Sequence, residues 1–141
     1  MNNSKRCLLW HGMFLFLLGL FTGLLEQHLN NPRMGLAAHL EGVMNGTFLI
    51  ALGAVWMEVK LTPRLKTMTY WGMLYGAYVN WAITLFAVVF GTTALTPITG
   101  AAHAALPWQE AVVTVGYTSV GIIIIASSIL VLWGLRPSAT S

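Results

Sequence analysis

The chain has 141 residues, 57% of them hydrophobic and 8% charged, with a formal net charge of +3 and a mean hydropathy of +0.73. Soluble domains carry roughly 25% charged residues, so this composition excludes an ordinary soluble domain and indicates an integral membrane protein. The single cysteine excludes an intrachain disulfide framework and a cysteine-based metal site.

Four apolar windows are long enough to be membrane-spanning helices, since one span needs about 20 residues. The predicted helices cover about residues 7–25, 36–57, 68–94 and 111–135. They leave no room for a soluble domain, so residues 1–141 are predicted to form a single all-α membrane domain. Short connections between consecutive helices favour an up-down-up-down four-helix bundle.

The basic residues are distributed unevenly between the two predicted sides of the membrane. One side has only Arg33, whereas the side shared by the two termini and the second connection carries Lys5, Arg6, Lys60, Arg64, Lys66 and Arg136. The positive-inside bias therefore predicts a multi-pass protein of a bacterial-type inner (cytoplasmic) membrane, with both termini in the cytoplasm. The net charge reflects this topology and does not indicate nucleic-acid binding.

The second predicted helix carries a stripe of small residues. Gly35, Gly42, Gly46 and Gly53 fall near one line at 100° per residue, and His39 lies beside that line. Such a stripe lets a neighbouring helix approach closely, or it gives a planar macrocycle a flat wall. The imidazole has three interpretations, namely a hydrogen bond to another helix, an iron ligand and a proton relay.

Two carboxamides are predicted near the bilayer midplane. Asn45 lies about 15 Å below the start of the second helix at 1.5 Å of rise per residue, and Asn80 lies near the middle of the third. The two amides could bond to each other, or they could donate to an oxygen of a bound substrate.

Glu41 is on the opposite side of the second helix from His39, because two residues correspond to 200° of rotation. Glu41 and Asn45, at positions i and i+4, share a face. A carboxyl inside lipid is expected to be paired, or to handle protons or substrate. The candidate partners are Arg33, His11 and His28.

Other catalytic signatures are absent from the sequence. It contains no aspartate, no G-x-S-x-G, no phosphate-binding loop and no Cys-x-x-Cys. These absences argue against hydrolysis by an acid pair, phosphoryl transfer and thiol redox chemistry.

Three features together resemble a known family. They are Ala38-His39-x5-Asn45-Gly46 in the second helix, Trp10-His11-Gly12 in the first helix and a central asparagine in the third. This pattern resembles the small four-helix membrane isomerases, a group that contains hydroxylaminobenzene mutase and styrene oxide isomerase. In its length and in the run from residue 39 to 46, the chain looks closer to the mutase branch.

The resemblance implies a homotrimer that holds ferric haem b at its subunit interfaces. The histidine that matches His39 is the axial iron ligand. The flat glycine stripe beside His39 suggests that Gly42 and Gly46 line this cofactor. The asparagine that matches Asn45 lines the open side of the haem.

Two further positions concern the substrate side of the predicted site. Aligning the central asparagine with Asn80 places Thr84 where styrene oxide isomerase has a tyrosine. This departure weakens the case for epoxide isomerisation, although Tyr78 or Tyr117 could supply a phenol. Asn45, Asn80 and Thr84 are thus the expected catalytic side chains.

The function that the resemblance implies is the rearrangement of hydroxylaminobenzene to 2-aminophenol, with ferric haem as a Lewis acid. The expected partners are a small aromatic substrate, membrane lipid and other copies of the chain. Alternatives are isomerisation of an aryl epoxide, a proton-coupled multidrug exporter that uses Glu41, and a non-catalytic haem electron carrier.

Overall fold

The computed structural model describes residues 2–137 and is all-helical over that range. Its four long helices are α1 (Asn2–Leu25), α2 (Pro32–Val55), α3 (Pro63–Phe90) and α4 (Pro107–Gly134). A short 3₁₀ helix, Glu26–His28, follows α1. All four long helices are long and apolar enough to cross a membrane, as expected of a multi-pass membrane protein.

The helices α2, α3 and α4 begin about one turn earlier than the hydropathy windows predicted, and each begins at a proline. Proline suits the first helical position, because its fixed φ is already helical and its missing N–H would have no partner there. Asn31 also caps α2, since its side-chain oxygen accepts a hydrogen bond from the Met34 N–H at 3.2 Å. The end of α3 is set by Gly91, whose φ of 66° is left-handed.

The first two helices approach each other closely through glycines. A Cβ added to Gly42 would lie 2.5 Å from the Gly19 Cα, and one added to Gly46 would lie 2.5 Å from the Phe16 backbone nitrogen. Side chains at these positions would therefore push the two backbones apart. The helix-packing interpretation of the glycine stripe is confirmed.

The other two helices each pack mainly on the helix that precedes them in the chain. The α3 helix packs on α2, and α4 packs on α3. Within residues 2–137, no Cα atom of α4 lies within 8 Å of a Cα atom of α1 or α2. A single chain is therefore more open than the predicted four-helix bundle, and a groove remains between α2 and α4, above α3.

The glycine contact leads to a stability prediction. Gly46→Ala should lower the free energy of unfolding in detergent by about 1 to 3 kcal/mol, because the new methyl group overpacks the contact between α1 and α2. Gly121→Ala is the matched control, since an added Cβ at Gly121 meets nothing within 4 Å. Equal thermal stability of the two variants would contradict this packing.

Candidate functional site

The imidazole of His39 lies between α2 and α1. Its Nδ1 is 2.8 Å from the carbonyl oxygen of Gly19, and the ring packs over Gly23, where an added Cβ would lie 2.5 Å from Nδ1. The side chain is half-buried. Two glycines of α1 thus make room for the ring and fix its orientation.

This hydrogen bond determines which ring nitrogen of His39 is free. A carbonyl oxygen only accepts, so Nδ1 carries the proton, and the neutral ring keeps a lone pair on Nε2. No hydrogen-bond partner of Nε2 is found among the described residues. Metal-binding histidines commonly have this arrangement, in which the second nitrogen donates to a backbone carbonyl.

The single metal-binding side chain available at this place, His39, suits a cofactor that supplies the other metal ligands itself. In the part of the chain that the structure describes, no three His, Cys, Asp or Glu side chains cluster as they would around a bare metal ion. A porphyrin supplies four nitrogen ligands and needs one axial side chain from the protein. The residues present therefore fit a haem better than an isolated ion.

Gly42 and Gly46, which were expected to line the cofactor, pack against α1 in the structure. Both glycines are buried against the backbone of α1, so the wall they form is already covered by a helix of the same chain. We assign them to helix packing. Their contribution to the site is indirect, because they bring α1 close enough for Gly19 to bond to His39.

The predicted carboxamides lie on the other side of α2. Asn45 and Asn80 both line the groove between α2 and α4, a cavity of about 350 Å³ whose walls include Val120 and Ile124. The two amides do not bond to each other in the structure. Asn45 Nδ2 instead donates to the Ala77 carbonyl oxygen at 3.2 Å. Within residues 2–137, the Asn80 side chain has no hydrogen-bond partner.

A hydrogen-bonded cluster lies about one helical turn along from these amides. Thr84 is only 1% exposed, and its hydroxyl donates to Glu41 Oε2 at 2.5 Å and is 2.7 Å from the Tyr117 hydroxyl. It is also 3.0 Å from the backbone oxygen of Asn80. The cluster therefore joins α2, α3 and α4 at one level.

Two questions that the sequence left open are answered by this cluster. The partner of Glu41 is the neutral hydroxyl of Thr84, and not one of the basic side chains or histidines that had been considered. The phenol beside Thr84 is Tyr117, because the Tyr78 hydroxyl points to α1 and lies 3.1 Å from Nδ1 of His11. Spacing along one helix could not show these pairings, since they join different helices.

A larger cavity of about 500 Å³ lies elsewhere, where the connection between α2 and α3 meets α1. Aromatic side chains and two lysines line it, and none of the predicted site residues does. One of the lysines, Lys66, donates to the Val59 carbonyl oxygen at 2.8 Å. Size alone therefore does not identify the candidate site in this protein.

Comparison with known proteins gives consistent matches. A family model described as styrene oxide isomerase matches residues 4–136. Hydroxylaminobenzene mutase HabB of Ectopseudomonas oleovorans is 40% identical over 132 residues, which cover 93% of this chain and 80% of that protein. Hydroxylaminobenzene mutase HabA of the same organism is 41% identical over 125 residues, which cover 88% of this chain and 93% of that protein. No solved structure gives a significant match.

A helical multi-pass membrane protein with these relatives is an isomerase. More narrowly, the chain belongs to the styrene oxide isomerase family, and over most of its length it is similar to the hydroxylaminobenzene mutases. The resemblance inferred from the sequence and the prediction of an isomerase are both confirmed.

Proposed function

We propose that this protein rearranges hydroxylaminobenzene to 2-aminophenol and uses a ferric haem b held by His39. The names of its two relatives support this substrate. The observation that carries the proposal is the fixed imidazole, with Nδ1 bonded to Gly19 and with Nε2 free of hydrogen-bond partners in the described chain. A ring held in this way is prepared to bind a metal.

The chain's own residues have separate tasks in this proposal. When bound, a ferric haem supplies an electrophilic iron that draws electrons from the substrate's hydroxyl oxygen. The apolar walls of the groove, which include Val120 and Ile124, exclude water that would otherwise capture a cationic ring. The Asn80 carboxamide, which has no other partner within residues 2–137, can orient the migrating oxygen, and Asn45 lines the same groove.

The positions of His39 and the groove support an assembly of several copies. Within one chain they lie on opposite faces of α2, with α1 covering one face and α3 and α4 flanking the other. A haem on His39 could therefore face the groove of a neighbouring copy. A cyclic homotrimer repeats such a head-to-tail contact and closes it into a ring, with the haem at the subunit interfaces.

Contacts between the connections support the alternating course of the helices. Asn31 donates to the Thr99 carbonyl oxygen at 2.7 Å, which joins the first and third connections. At the other end, the Lys60 N–H donates to the Gly134 carbonyl oxygen at 2.8 Å. These contacts fit an up-down-up-down topology in a bacterial-type inner membrane, with both termini and most basic residues in the cytoplasm.

Aryl epoxide isomerisation is the second candidate, because the matching family model is described as styrene oxide isomerase. A phenol is present beside Thr84, although it comes from Tyr117 of α4 instead of from α3. Both candidates are isomerisations of a small aromatic molecule. Family membership favours them over the exporter and the electron carrier.

Replacement of the proposed ligand tests the haem. His39→Ala should yield a protein without a Soret absorption band and without conversion of hydroxylaminobenzene, since no other histidine of residues 2–137 shares its contact with Gly19. The control His28→Ala alters an exposed histidine and should keep both properties. A His39→Ala protein that retains the full Soret band would refute the ligand assignment.

Mixing two impaired variants tests the shared site. Asn80→Ala should keep the haem spectrum and slow turnover about 10²-fold, the usual cost of removing a polar group that stabilises a reacting oxygen. Co-expressed with His39→Ala, it should regain activity, because some interfaces combine an intact His39 with an intact groove. Absence of recovery in purified mixed assemblies would place both residues in a site within one copy.

A further inference from the structure

The larger cavity, of about 500 Å³, lies at one end of the membrane-spanning helices. Its lining residues come from the start of α1, from the connection between α2 and α3 and from the first turns of α3. The end of α4 meets the same connection, because the Lys60 N–H donates to the Gly134 carbonyl oxygen at 2.8 Å. The ends of membrane helices lie at the level of the lipid headgroups. The cavity is therefore placed where a headgroup can reach it.

The charged side chains among the described residues that line this cavity are all cationic. Lys60 and Lys66 contribute two ammonium groups, and Ser4 and Thr67 contribute hydroxyl groups that can donate hydrogen bonds. Two like charges that share a cavity repel each other, and an anion bound to both offsets that repulsion. The lining thus has the chemistry of a site for a negatively charged group.

The ammonium group of Lys66 is held in one position at the cavity wall. Its Nζ donates to the Val59 carbonyl oxygen at 2.8 Å and lies 5.4 Å from the centroid of the Trp56 ring. Trp56 is only 2% exposed, so the surrounding core fixes this ring. An ammonium group has three N–H donors, and within residues 2–137 only the Val59 oxygen accepts from this one. Two donors therefore remain for a bound anion, and the fixed side chain loses little entropy on binding.

The other walls of the cavity are apolar and aromatic. Met57, Tyr70 and Trp71 line it, and the rings of Tyr70 and Trp71 pack edge to face with their centroids 5.2 Å apart. Trp71 is 63% exposed, which suits an indole at the membrane interface, where one side is wet and the other apolar. A free inorganic anion would use the lysines alone. An amphiphile with a phosphate group and an apolar chain would use both kinds of wall.

We propose that this cavity binds the headgroup of an anionic phospholipid, with the phosphate group on Lys60 and Lys66 and the glycerol and upper acyl chain against Trp71. Lys5 and Arg64 are next in sequence to residues that line the cavity, and their charge adds to a potential that attracts such lipids. Because the lining residues belong to α1, α3 and the connection before α3, a bound lipid joins these parts and stabilises the folded state. This inference does not depend on the haem or on the reaction.

Lipid retention by the complete purified assembly tests the proposal. Native mass spectrometry in a non-ionic detergent counts the lipids that remain bound when phosphatidylglycerol or phosphatidylcholine is added at equal mole fraction. Phosphatidylglycerol should bind much more tightly, because the choline group of phosphatidylcholine cancels the phosphate charge. Equal binding of the two lipids would overturn the proposal.

Substitutions separate the lysines of the cavity from the general charge of this end of the protein. Lys60→Gln and Lys66→Gln should each weaken phosphatidylglycerol binding about fivefold, the usual contribution of one basic residue near a membrane surface. Arg64→Gln is the matched control, because it removes the same charge from an exposed residue that does not line the cavity. Its affinity should change much less. Equal losses in the lysine variants and in Arg64→Gln would contradict the site.

Two further outcomes are decisive. If an excess of inorganic phosphate displaces phosphatidylglycerol from the wild type, the cavity is a site for a free anion and the lipid assignment is wrong. If Lys66→Gln does not fold, because Lys66 also bonds to Val59, the exposed Lys60 carries the test. An affinity of Lys60→Gln unchanged from wild type would then overturn the proposal.

Discussion

The close contact between α1 and the glycine face of α2 is the constraint on which the rest of the structure depends. It places Gly19 within hydrogen-bond distance of His39, and α1 covers the glycine face of α2. Because successive helical residues rotate by 100°, Glu41 and Asn45 then face α3 and the groove. One helix therefore presents an imidazole on one face and a carboxyl group and an amide group on the other.

Lipid makes each of these polar groups costly, and the structure shows how the cost is offset. A charged side chain at the centre of a membrane helix is unfavourable by about 2.5 to 3.5 kcal/mol on insertion scales. Glu41 is bonded to a buried threonine, His39 to a carbonyl oxygen and Asn45 to another carbonyl oxygen. Each nevertheless keeps one polar atom without a partner in the described chain.

The sequence predicted the number of helices and their apolar character, because these features depend on composition. It also predicted the glycine packing and the opposite placement of His39 and Glu41, because these features depend on the rotation along a single helix. The early helix starts were missed because hydropathy windows do not register proline at the first helical position. The pairing of Thr84 with Tyr117, and the openness between α2 and α4, depend on how separate helices pack, which spacing along the chain does not encode.

The central claim is that one reaction site combines His39 of one copy with the groove of another. The most direct measurement is a cryo-electron microscopy map of the purified assembly in lipid nanodiscs. The account predicts planar tetrapyrrole density bonded to Nε2 of His39, with Asn45 and Asn80 of a neighbouring copy facing its open side. A map in which Nε2 contacts only protein or lipid, or in which the groove of every copy lies far from any tetrapyrrole, would contradict the account.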